Sequence, residues 1–198
     1  MKDTKDLILE TAYTMFLYNN YEAVTINAII KSTGLTKGAI YHYYASKEDL
    51  FKAVVDKYVV ENMIDSVNTF NSLQDFIKFI IDSVEVKIER FLEKKNDSST
   101  IIPFNYLSLV IAAHRYYPGY TQIGEKFFQA QKKRWEDHIK DAIANGEIRD
   151  DIDTEAIISS FMNVGSGIIS NSIMFGSMSD ALKLFERQYR QLYDFIKK

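Results

Sequence analysis

The 198-residue chain has no cysteine, two prolines and eight glycines, and each shortage excludes something. Without thiols there is no disulfide, no thiolate metal site and no cysteine nucleophile, which suits a reducing compartment. With so few breakers, long helices are the expectation and a turn-rich β fold is not. No apolar run approaches the ~18 to 20 residues that span a bilayer. The best, residues 101–113, is interrupted by Pro103, Asn105 and Ser108. The opening residues carry Lys2, Asp3, Lys5 and Asp6 where a secretory signal needs an apolar stretch. A cytoplasmic protein with no membrane partner is therefore expected.

The usual enzymatic constellations are missing as well. There is no Gly-rich phosphate loop and no HExxH, and the three histidines, His42, His114 and His138, are the whole supply of imidazole. No catalytic residue, metal site or cofactor is assigned, and an enzyme is not expected.

What the chain does have is the composition of a folded protein, 46% hydrophobic and 26% charged, with 13 Phe and 13 Tyr. A net charge of -3 argues at first against nucleic acid. Local distribution matters more, because salt screens charges beyond ~8 Å. Between Glu22 and Glu48 there is no acid, whereas Lys31, Lys37, His42 and Lys47 all fall there. A chance gap on a solvated face would look the same by charge alone, and the residue pattern decides between the two.

Leu7, Ile8, Ala12, Met15 and Phe16 make one stripe of a helix over 4–18. Asn20 is expected to end it in the left-handed conformation. Thr25 can cap a short helix carrying Ile26, Ile29 and Ile30 inward, Gly34 turns the chain, and Thr36 can cap a second short helix over 37–44. Two short helices joined by a Gly-containing turn form a helix-turn-helix. Ser46, with Asp49 three residues on, opens a longer helix through Leu50, Phe51, Val54 and Val55.

Beyond residue 70 the apolar spacing stays helical, first through Leu73, Phe76, Ile77, Ile80, Ile81 and Val84. Helices over 100–116 and 121–145 follow, then one from Asp153 or Thr154 to about Gly176 through Ile157, Phe161, Val164 and Ile168. In the last segment Leu182, Phe185, Tyr189, Leu192 and Ile196 form a seam that wants a partner helix. The fold class is all-α with about nine helices.

The stretch Thr25 to Phe51, TINAIIKSTGLTKGAIYHYYASKEDLF, resembles the N-terminal domain of the TetR family of bacterial transcription regulators. The features that carry the likeness are Thr25, Gly34, Gly38, Tyr41-His42-Tyr43-Tyr44, Lys47 and Glu48, with Phe16 and Tyr21 before them. Asn20 stands where that family usually has Gly, Ile30 and Thr33 where small Ala is common, and Tyr44 where Phe is usual. The likeness covers about the first 55 residues. It implies a DNA-binding domain over 1–48 and a helical ligand-binding and dimerisation domain over 49–198. It further implies a transcription regulator, most simply a repressor released by a small molecule. An activator or a DNA-bound scaffold of the same fold is the alternative.

A recognition helix delivers its N-terminal residues to base edges in the major groove while other groups clamp phosphates. Thr36 and Lys37 occupy that tip, Gly38 lets the backbone approach, and Tyr41 and Tyr43 offer hydroxyls and ring faces. Thr25, Asn27 and Lys47 stand at helix starts where phosphate is favoured. His42 is either a backbone contact or a bystander. Of the tyrosines, Tyr44 is expected inward with Ile40.

One small module makes few base contacts, each worth ~1 to 3 kcal/mol, so specific binding calls for a homodimer on a palindromic duplex. Ile157, Phe161, Ile168, Phe175, Leu182, Phe185, Tyr189, Leu192 and Ile196 are the candidate interface, with Gly165 and Gly167 permitting close helix approach. The other reading is that these faces close the core of one chain. By the resemblance, the body binds an effector, and Asn62, Phe104, Tyr106, His114, Phe127, Gln131, Trp135, Phe161 and Asn163 combine aromatic walls with polar handles.

Overall fold

The computed structural model describes residues 3–61, 69–93 and 101–198, with the side chains of 87–93, 101–103 and 169 left out. Its α-helices are α1 (Thr4–Tyr18), α2 (Ile26–Thr33), α3 (Lys37–Tyr43), α4 (Lys47–Val55), α5 (Leu73–Glu93), α6 (Ile101–Tyr116), α7 (Tyr120–Ala144), α8 (Thr154–Phe175) and α9 (Met178–Ile196). A 3-10 turn, Tyr21–Ala23, joins α1 to α2, and α4 runs on into a π-helical turn, Asp56–Val60. Among the described residues no helix is long and apolar enough to cross a membrane.

Local side chains set most of these boundaries. Asp3, Thr25, Thr36, Ser46, Asp153 and Ser177 each accept a hydrogen bond from a backbone N–H in the first turn of the helix they precede. Gly34 ends α2 at φ 69, and its N–H donates to Ile30 O at 3.0 Å. A side chain there would carry the strain of a left-handed backbone.

Asn20 does not behave as the sequence suggests. No residue other than glycine has a positive φ among those described, and Asn20 is extended at φ -61 and ψ 147. The end of α1 is satisfied one residue earlier. Asn19 donates to Met15 O from its backbone N–H at 2.9 Å and from its side-chain amide at 3.0 Å. That leaves the Asn20 carbonyl free to accept from Ala23 and Val24 and to open the 3-10 turn.

The chain divides into two compact units, residues 1–66 with 104–127 and residues 67–103 with 128–198. The core of the first collects Ile8, Ala12 and Phe16 of α1, Ile29 of α2, Ile40 of α3 and Phe51 and Val54 of α4, with Leu109, Ala113 and Tyr117. Phe51 meets Phe16 and Tyr21 edge-on at 5.0 and 4.7 Å. This packing fixes the two short helices, which have too few residues to be stable alone.

In the second unit Trp135 stacks on Phe161 with ring centroids 4.4 Å apart. Leu73, Phe76, Phe185, Tyr189 and Ile196 complete that core. The Glu147 carboxylate accepts from the N–H groups of Leu73 and Gln74 at 2.9 and 3.0 Å and from the Tyr193 hydroxyl at 3.0 Å. One acid thus caps α5 and pins α9. A short antiparallel bridge pairs Ile148 with Lys197.

Candidate nucleic-acid interface

Helix α3 is amphipathic in the simplest way: Ile40 is buried and its other side faces solvent. Tyr44, just past its end, is only 6% exposed, as its place beside Ile40 suggests. Thr25, Asn27, Thr36, Lys37, Gly38, Tyr41, His42 and Tyr43 are all exposed, and Lys47 is half-buried. The structure therefore leaves these candidates accessible while the apolar neighbours hold the helix down.

The threonine caps retain their own donors. Thr25 Oγ1 accepts from Ala28 N at 3.1 Å and Thr36 Oγ1 from Ala39 N at 3.2 Å. Each cap uses an oxygen lone pair, so the hydroxyl proton remains available to a phosphate oxygen. Both helix starts also present the positive end of the backbone dipole. The Lys37 ammonium stands 5.6 Å from the Tyr41 ring centroid, one turn further along. A Cβ at Gly38 would meet nothing nearer than Thr36 Oγ1 at 4.0 Å, so the bare backbone there opens outward rather than onto the protein. His42 meets Tyr43 edge-on at 5.0 Å.

Lys47 has a more defined setting. Its ammonium lies 4.1 Å from the Tyr21 ring centroid and donates to Glu22 O at 3.5 Å. Burial lowers its pKa, against the pull of Glu48 and Glu22. The Tyr21 hydroxyl donates to Glu48 Oε1 at 3.1 Å, and burial together with that bond pushes its pKa up to about 12. Hydrogen bonds from its own backbone, Ser46 and Tyr21 hold the Glu48 carboxyl below its ordinary range. Spacing along the sequence does not reveal this cluster, because its two halves, Tyr21–Glu22 and Lys47–Glu48, are brought together across 25 to 27 residues.

The expected effector residues fall in both units. Phe104, Tyr106, His114 and Phe127 belong to the first, Gln131, Trp135, Phe161 and Asn163 to the second, and Asn62 lies outside the described residues. Phe104 is exposed and lines a recess of about 290 Å³ between the end of α1 and α6, with Phe16, Tyr21, Phe51 and Tyr116. Tyr106 packs against the first core, and burial raises its pKa to about 12. His114 Nδ1 lies 3.3 Å from the Thr121 hydroxyl. Phe127 and Gln131 are half-buried and Asn163 is exposed. Trp135 and Phe161 fill the second core against each other, so they serve as packing rather than as an open wall.

A similar correction applies to the seam. Phe161, Ile168, Phe185, Tyr189 and Ile196 are buried within their own unit, which removes them from any surface a second chain could touch. Gly165 serves the same internal packing. A Cβ there would stand 3.0 Å from the Tyr189 hydroxyl, which donates to Phe161 O at 3.0 Å. Ile157, Leu182 and Leu192 are half-buried, and Phe175 is exposed. Beside them lies a groove between α8 and α9, about 340 Å³, formed by Val164, Leu192 and Phe195 among others. Phe195, 71% exposed, and Met174 are surface apolar residues that the seam spacing passes over.

Residues 8–54 match the family model of the bacterial regulatory proteins, tetR family. Over 170 residues the chain is 24% identical to an uncharacterized HTH-type transcriptional regulator, YfiR, of Bacillus subtilis, with 85% of this chain and 79% of the relative covered. It is 26% identical over 160 residues to the HTH-type transcriptional repressor KstR2 of Mycolicibacterium smegmatis, with 77% and 71% covered. The crystal structure of a TetR transcription regulator from Haloarcula marismortui has the same fold, with a TM-score of 0.73 at 19% identity over 98% of both chains. A helix-turn-helix with an exposed, acid-free tip on an all-helical body defines a DNA-binding transcription regulator. Residues 8–54 thus match the N-terminal domain of the tetR family of bacterial regulatory proteins, and the relatives that align over most of the chain are HTH-type transcriptional regulators.

Proposed function

We propose that this regulator is a homodimeric repressor that grips a palindromic operator and lets go when a small molecule binds its body. The observation that carries the reading is the tip of α3. Thr36, Lys37, Gly38, Tyr41 and Tyr43 are solvent-exposed while Ile40 and Tyr44 anchor the helix from behind. In this reading Lys37 donates to a base edge, and Thr25, Asn27, Tyr41, Tyr43 and Lys47 take phosphates, with His42 at the margin. Residues 1–48 read DNA, and 49–198 sense and dimerise. The repressor name of the mycobacterial relative supports the sign of regulation.

The homodimer is assigned to the exposed part of the α8–α9 face, around Phe175, Leu192 and Phe195, in place of the buried seam. For the effector, Phe104, Tyr106, His114 and Phe127 of the first unit remain the candidates. An effector acts only through unequal affinity for the two states, and a 100-fold loss of operator binding needs ~2.7 kcal/mol.

The test is a mobility shift on the DNA upstream of the coding region, over a range of salt, against a scrambled duplex. Lys37→Ala should weaken the operator complex by ~1 to 3 kcal/mol with helicity and dimer mass unchanged. Equal binding of wild type to both duplexes would overturn the reading.

A further inference from the structure

Two residues, Tyr21 and Glu22, meet the Lys47 ammonium, and a third, Tyr116, holds both of them. The Tyr116 ring stacks on Tyr21 with centroids 4.1 Å apart and planes at 19°, and its hydroxyl donates to the Glu22 carboxylate. Tyr21 and Glu22 are the same two residues on which the Lys47 ammonium rests. Tyr116 is the last residue of α6, and 94 positions separate it from Glu22. The next residue, Tyr117, donates to Asp56 Oδ1 at 2.8 Å, so this turn of α6 is tied down beyond α4 as well.

We propose that Tyr116 is a positioning residue of the DNA-binding face: it keeps the Glu22 carboxylate engaged and backs the Tyr21 ring, which presents the Lys47 ammonium to a phosphate. The inference rests on the DNA-binding part of the reading above and not on its sequence specificity. Two physical consequences follow from the geometry. A lysine already held against a ring loses less side-chain freedom on meeting phosphate than one that swings freely. Of its three N–H donors one goes to the Glu22 carbonyl, which leaves others for DNA. Glu22 also pulls electrostatically on Lys47. Released from the Tyr116 hydroxyl, its carboxylate is free to turn onto the ammonium and neutralise the charge that a phosphate would meet.

The test is a set of variants titrated onto the upstream duplex and onto a scrambled one, since a phosphate contact counts on both. Tyr116→Phe keeps the stack and loses only the hydroxyl. It should weaken binding roughly 3- to 10-fold, with the salt slope lowered by up to about one unit. Adding Glu22→Gln to Tyr116→Phe should restore affinity, because the neutral amide cannot compete for Lys47. In a Lys47→Met background Tyr116→Phe should cost nothing further. A merely structural role would give neither the rescue nor the lost sensitivity. Unchanged affinity of Tyr116→Phe, or an equal loss with and without Lys47, overturns the proposal. If wild type binds both duplexes equally but the coupling persists, the operator reading fails and this one stands. Binding of wild type to neither duplex would sink both.

Discussion

At the scale of single residues the protein places charge and proton affinity by packing. His138 lies against Phe76, with ring centroids 4.1 Å apart, and near Arg134, which sits over the Phe76 ring. Burial first, and the Arg134 charge second, push its pKa below 6.5, while Asp141 and Asp137 oppose them. The folded chain thus refuses a proton that the unfolded chain accepts as pH falls through 6.5. Stability is complete above that value and drops below it until the folded pKa is reached. His138→Phe keeps an aromatic ring and has no proton to bind. Urea unfolding at about pH 7.5 and about pH 5.5 should show a smaller fall in midpoint for the variant than for wild type. An equal fall would assign the acid sensitivity elsewhere. Tyr44 illustrates the converse. Its hydroxyl is buried with no hydrogen-bond partner among the described residues, the cost of a hydroxyl where the resembling family carries Phe.

At the scale of elements, legibility in the sequence follows the range of the cause. Thr25, Thr36 and Ser46 cap from three residues away, and Gly34 needs only its own φ, so the helix-turn-helix could be read from its letters. Asn20 departs from the expectation because two adjacent asparagines compete for one helix end, and Asn19 is the one that meets Met15 while Asn20 opens the 3-10 turn. The seam on α9 was legible as apolar but not as inward. Spacing marks a face, and only the Trp135–Phe161 stack shows what covers it. Long-range polar contacts leave no trace in spacing at all. Glu147 caps α5 from 74 residues away. Glu147→Ala would leave the Leu73 and Gln74 N–H groups and the Tyr193 hydroxyl without that acceptor. The expected cost is about 1 to 3 kcal/mol in chemical denaturation. A loss of under ~0.5 kcal/mol would show that water replaces the carboxylate.

For the whole molecule, the proposed reading has two DNA tips engaging one duplex together, so in it the surface that joins two chains is as much a part of the mechanism as α3. The proposed surface includes Phe195 beside the α8–α9 groove. Phe195→Glu places a charge on that exposed apolar ring position without touching the buried core. Its solution mass should fall to that of a single chain with helicity retained, and operator binding should weaken in parallel. A variant that keeps the dimer mass would move the interface elsewhere on the body.

The lone tryptophan makes the two units separately observable. Trp135 is shielded and stacked in the second core, whereas the first core is rich in tyrosine and has no indole. Indole emission therefore reports the loosening of the second unit alone, and backbone ellipticity reports both. Denaturation curves followed by the two signals overlay only where the units melt as one, and any gap between them measures how independently the first unit comes apart.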